Sequence, residues 1–306
     1  MSNTIRFLLG LCLTSAAHCY AADPQPSCPP VAFPVTEIKV IKASGWQMAD
    51  AERRQLFALG LQACLSDPDP ELRDGVAFEG LSAMMREKLL STDTLTRIYQ
   101  DQLMQLGSTT DDPTGFAKPF AALVLAEVAR ADRLQPFLSA RQRNTLLEAA
   151  TGYLRGVGDY RGFTPGEGWR HGVAHAADLL LQLTLNPAVD AKQLESIVQS
   201  IGIQVVPTGA HFYIYGESDR LARPVLFAAR RGLLVAQDWN NFLGALASPL
   251  PMTSWGEAFK TQEGLARLHN TRAFFRTLAL ALQGANDASK ESVLIKPVAA
   301  ALAQLP

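Results

Sequence analysis

The sequence predicts an all-α fold, an irregular α-solenoid built from antiparallel helix pairs. Apolar residues recur at helical spacing from about residue 51 to the C-terminus. Short Pro, Gly and Asp punctuation separates the helical stretches, and short loops join antiparallel neighbours. Only two segments break the helical pattern, both too short to build a sheet. So many helices suit stacked pairs better than a compact bundle.

Taken in order, residues 1–21 carry Arg6, an apolar run from Phe7 to Ala17, and small residues Cys19 and Ala21 three positions and one position before a cleavage point. They read as a secretory signal peptide, so the mature protein is expected to be secreted or periplasmic. The apolar run is shorter than the roughly 20 residues a bilayer needs, and no later stretch approaches that length, so the chain is not expected to span a membrane. Residues 22–45 form a Pro-rich leader: Pro24, Pro26, Pro29, Pro30 and Pro34 make 23–34 a linker, and Val35 to Ile41 suits a short extended segment. Residues 46–306 make one extended helical repeat-like domain. Leu56, Leu59, Gly60 and Ala63 share a face, and that helix stops at Asp67-Pro68-Asp69-Pro70. Glu71-Leu72-Arg73-Asp74 opens the next helix, and the whole phrase from Asp67 looks like the turn and second helix of a HEAT-type repeat, without a strict period along the chain. Helices are then expected near 92–106, 116–130, 139–156, 168–185, 190–204, 219–235, 239–247, 263–283 and 289–304. Residues His211 to Gly216 alternate as a strand or ordered loop would.

Composition bounds the partners. A formal net charge of −1 falls to −2 when Arg6 leaves with the signal, and no basic run resembles a nucleic-acid arm or a polybasic membrane patch. With 48% hydrophobic residues, the chain can bury a large core. Signal removal leaves two cysteines, Cys28 and Cys64, outside any C-x-x-C motif. In an oxidising compartment such a pair suggests one structural disulfide, stabilising by about 3 to 4 kcal/mol on the chain-entropy model; two separate buried thiols are the alternative.

The chemistry-bearing residues concentrate between 159 and 272. On a helix over 168–185, His171, His175, Asp178 and Gln182 fall at i, i+4, i+7 and i+11, a polar stripe on an otherwise apolar helix. Such a stripe must be hydrogen-bonded internally or face a cleft. The i, i+4 spacing of His171 and His175 lets two imidazoles hold one divalent ion. Gly172 stands where a zincin has its Glu, which removes that class. Asp178 is about 10 Å along the axis from His171, so further ligands must come from Asp159, His211, Glu217 or His269. The competing reading is a buried network in which Arg161, Arg220 and Arg272 hold Asp159, Asp178, Glu217 or Asp219. A third is a metal-free polar cleft that binds a ligand. Nucleophilic catalysis lacks a G-x-S-x-G elbow, and Ser218 reads as a helix cap. No spacing selects a glycosidase pair from Glu167, Asp178 and Glu217. No glycine fingerprint marks a dinucleotide fold. Tyr213, Tyr215, Trp239 and Trp255 can line a peptide or glycan groove, although aromatics at this density are more often core.

Asp159-x-Arg161-Gly162-Phe163, Gly168-Trp169-x-His171, Ala174-His175-x-Ala177-Asp178-Leu179-Leu180, Gly216-Glu217 with Arg220-Leu221-Ala222, and His269-Asn270 before Phe274 and Phe275 resemble the bacterial family known as domain of unknown function 2785. The resemblance runs from roughly Glu71 to Gln283. It implies an all-helical repeat-like domain and supplies no activity. The expected function is an exported binding or scaffold protein for a protein, peptide or small-molecule ligand. Its concave face would carry Asp159, Arg161, Trp169, His171, His175, Asp178, Glu217, Arg220 and His269. The rival is a metal-dependent hydrolase with His171 and His175 as ligands.

Overall fold

The computed structural model describes residues 27–286 and 288–306; the expected signal peptide lies outside the described residues, as does the first part of the leader. The described residues form an all-α fold with one two-stranded hairpin. The helices are α1 (Val35–Ala43), α2 (Ala51–Leu61), α3 (Pro70–Leu72), α4 (Glu79–Arg86), α5 (Thr92–Leu106), α6 (Ala117–Leu134), α7 (Ala140–Gly156), α8 (Gly172–Thr184), α9 (Ala191–Val205), α10 (Glu217–Arg231), α11 (Ala236–Ala247), α12 (Gln262–Ala281) and α13 (Ile295–Gln304). A π-helical stretch, Arg73–Phe78, joins α3 to α4 in one continuous helical run.

The punctuation residues start these helices. Asp50, Ser91, Ser139, Asp190 and Thr261 each accept a hydrogen bond from a first-turn amide, satisfying a donor the helix itself leaves orphaned. Ser139 with Gln142 and Asp190 with Gln193 complete capping boxes. Asp69 caps α3, with Pro70 at its first position.

Two expectations are corrected. Val35 to Ile41 is helical rather than extended: Pro34 begins α1, and Ile38 and Ile41, three apart on one face, are buried with Phe33 in the main core. The helix expected from residue 168 begins at Gly172. Gly166 and Gly168, at φ 83° and 80°, turn the preceding chain into a hairpin of β1 (Phe163–Thr164) and β2 (Gly168–Trp169). Phe163 pairs with Trp169 across it.

The helices pack in two rows. In one, α4, α6, α8, α10 and α12 follow side by side; in the other, α2, α5, α7, α9, α11 and α13 do so, and α5, α7 and α9 lie against α6, α8 and α10. The main core lies between the rows. Connections lead into the N-termini of α6, α8 and α10, and the candidate site is built from the last two of these, 157–171 and 206–216.

Candidate functional site

The segment His211–Gly216 lies outside any helix or strand, so it makes no helical hydrogen bonds, and no strand runs beside it. Its backbone groups must nevertheless be satisfied. Side chains from three helices do this. Asn270 on α12 accepts from the Tyr213 amide at 2.9 Å and donates to the His211 carbonyl at 3.0 Å. His269, its neighbour, bonds the Tyr213 carbonyl at 3.1 Å. Glu217, the first residue of α10, accepts from the Tyr215 amide at 2.9 Å. His171, just before α8, bonds the Tyr215 carbonyl at 3.1 Å. Alternate residues are thus held by side chains as a partner strand would hold them. A carbonyl oxygen only accepts, so both histidines donate through Nε2–H.

His171 occupies left-handed backbone space at φ 57°, an unusual cost for a non-glycine residue. It therefore leaves the helical stripe and points at the segment. His175 stays on α8, where its Nδ1 donates to the Pro119 carbonyl at 3.1 Å and its ring meets Phe120 edge-on. Burial, with His171 and Arg220 nearby, lowers the His175 pKa to about 3. Burial likewise lowers that of His171 and raises that of Glu217, the latter against its two backbone hydrogen bonds. Asp178 pairs with Arg220, yet burial still lifts its carboxyl above the ordinary range. Asp159 is held by Arg161 at 2.5 Å, and the Arg161 hydrogen bonds outweigh burial and lower its pKa. Gln182 accepts from Arg133.

The expected cluster thus divides. His171, Glu217 and His269 meet on one segment, whereas Asp159–Arg161 and Asp178–Arg220 form separate pairs and His175 turns to α6. The space enclosed by Tyr160, Arg161, His171, Tyr213 and Glu217 leaves no room for a water molecule. Two of the three arginines expected to hold carboxylates do so; Arg272 makes no ion pair among the described residues, and Asp219 takes the Thr277 hydroxyl instead. Ser218 is the second residue of α10 rather than its cap, a position held by Gly216. The His171 and His175 rings lie 5.9 Å apart, each turned to a different carbonyl. Among the described residues no group of three or more His, Cys, Asp or Glu is placed to hold a metal ion.

Of Tyr213, Tyr215, Trp239 and Trp255, three belong to the core rather than to a groove. Tyr213, Trp239 and Trp255 are buried, and Tyr213 and Trp255 satisfy their polar tips internally. Trp169 is the exposed tryptophan of the four, at 40%. It stacks on His171 with centroids 4.7 Å apart, meets Tyr215 edge-on at 5.6 Å, and leans against Phe163, itself 44% exposed.

Two arginines hold the hairpin that carries these rings. Arg73, with no exposed surface, donates to the Glu167 carbonyl at 2.7 Å and to Asp74, while its guanidinium lies 3.7 Å over the Phe116 ring. Arg170 sits 4.3 Å over the same ring and donates to the Thr114 carbonyl and to Glu167. Cation–π contact and the hydrogen bonds of their terminal nitrogens let both charges stay buried, although the Arg73 Nε has no partner. Sequence reading missed Arg73, Arg170 and Asn270 as site-building residues. Each stands among other polar or charged residues, and no spacing names its partner.

The model of a family described as "Protein of unknown function (DUF2785)" matches residues 103–280. The chain belongs to this family. The DUF2785 match spans the end of α5 to the end of α12 and contains the clamp of His171, Glu217, His269 and Asn270 on residues 211–216, the Asp159–Arg161 and Asp178–Arg220 pairs and the hairpin, but not Arg73 or the Cys28–Cys64 region. It is narrower than the span from Glu71 to Gln283 over which the sequence resembles the family. No curated protein and no solved structure matches the chain.

Proposed function

We propose that this DUF2785 protein is an exported binding protein whose contact surface is the aromatic patch of Phe163, Trp169 and Tyr215 beside the exposed Asp159–Arg161 pair. One observation carries the reading: the polar residues are consumed in internal hydrogen bonds, while the rings they support face solvent. A bound, desolvated ring contributes more than an exposed polar contact, and a rigid platform reduces the ordering cost of binding. The two rows of helices support the solenoid reading, with the patch at the N-terminal edge of α8 and α10. The disulfide between Cys28 and Cys64 supports export, and no described helix is long and apolar enough to cross a membrane. The ligand is a peptide or glycan segment that offers a flat face to Trp169. No observation favours the metal-dependent hydrolase.

The test is to screen the full chain and its Trp169→Ala variant on a glycan array and a displayed random-peptide library. Because Trp169 is half-exposed, the variant keeps the fold, which its circular dichroism checks. Ligands that bind wild type and lose roughly tenfold or more in affinity to the variant support the reading, in line with an aromatic anchor. Ligands indifferent to Trp169, or no enrichment by either protein, contradict it.

A further inference from the structure

At the opposite end of α6 from the hairpin lies a cavity of about 170 Å³, formed where α4 and α6 end and α5 begins. Its floor is apolar, with Met85, Leu90, Leu95 and Phe137, and its volume compares with the roughly 150 Å³ that holds a benzene ring. Its polar lining is mostly cationic: Arg86, Lys88 and Arg130 contribute, and no Asp or Glu lines it. Glu127 neutralises Arg86, whereas Lys88 and Arg130 form no ion pair among the described residues.

Two neighbouring details bear on this positive charge. Arg133, one turn beyond Arg130, has a buried Nε without a partner, and burial together with Arg130 lowers its pKa. Lys88 stands at φ 56° in the turn that closes α4, where the Leu89 amide reaches back to Met84 and the Lys88 amide to Met85. That position favours glycine. A lysine there keeps an ammonium at the cavity rim against the local backbone preference.

We propose that this cavity binds a small amphipathic carboxylate, an aromatic or short apolar acid whose ring enters the floor and whose carboxylate meets Arg130 and Lys88. Arg130 offers the planar fork that matches a carboxylate, and Lys88 a second charge. The site lies at the end of α6 opposite the hairpin, on residues the aromatic patch does not use, so it stands whether or not that patch binds a ligand.

The experiment is isothermal titration of the full chain with 3-phenylpropionate, with its neutral amide as control. The acid is expected to bind and the amide to bind at least roughly tenfold more weakly, the loss of a charge-assisted pair. Arg130→Gln is expected to lose a similar factor, while Arg276→Gln, remote on α12, leaves binding unchanged. Lys88→Gly separates binding from structure: it should weaken binding yet raise the melting temperature by about 2 °C, because glycine suits the left-handed position. Equal binding of acid and amide, undiminished binding by Arg130→Gln, or no heat from the acid at millimolar concentration overturns the proposal.

Discussion

His175 gives its Nδ1 proton to the Pro119 carbonyl from a buried position, and that arrangement resists a second proton. Its folded pKa of about 3 lies below the ordinary value of 6.5, so between those limits the unfolded chain binds a proton that the folded chain refuses. Stability therefore falls as pH falls through that window, by about 1.4 kcal/mol per pH unit where the difference is complete. His171, also lowered, acts in the same direction. Asp178 and Glu217, both raised by burial, act oppositely, since the folded state takes up their protons first as pH falls. Denaturant unfolding of wild type and His175→Asn from pH 7 to pH 5 tests this. The variant keeps a donor near Nδ1 and is expected to show a flatter pH slope; an identical slope would mean that His175 titrates normally.

At the scale of elements, the hairpin and the 211–216 segment are locked to each other by contact as well as by hydrogen bonds. A Cβ on Gly162 would lie 2.0 Å from the Tyr215 ring, so the ring rests on bare backbone. Gly162→Ala is expected to displace Tyr215 and to cost about 1 to 3 kcal/mol, the range for overpacking. Gly158, with nothing within 4 Å of its Cβ position, provides the control. Equal melting temperatures for Gly162→Ala and Gly158→Ala would rule out the contact. The helices were legible in the sequence because caps and periodicity are local: α5 spans Thr92–Leu106, the same bounds that spacing predicts. The break before α8 was not, because His171 and Gly172 satisfy the helical period while the turn depends on Gly166 and Gly168. Nor was the role of Asn270, whose partners lie 57 and 59 residues away in sequence. Of the expected cluster, His171, His175, Glu217 and His269 bond backbone carbonyls or amides, partners that have no signature in side-chain type, whereas Asp159, Arg161, Asp178 and Arg220 pair with one another.

Across the whole molecule, the clamp ties α8, α10 and α12 of one row through a single segment, and the disulfide ties Cys28, before α1, to Cys64 in the turn that follows α2. Closing a loop of 36 residues contributes about 3 to 4 kcal/mol on the chain-entropy model and fastens the leader to the core. The clamp holds a connection inside the family region, where irregular backbone would otherwise be among the least stable parts of the fold. An edge held in one conformation can present Phe163 and Trp169 as a fixed surface. The measurement closest to this account is residue-resolved amide hydrogen exchange across 211–216. The Tyr213 and Tyr215 amides, bonded to Asn270 and Glu217, should exchange slowly while those of Phe212 and Ile214 exchange fast, and Glu217→Ala should release Tyr215. Uniformly fast exchange along the segment, with no alternation, would contradict the clamp.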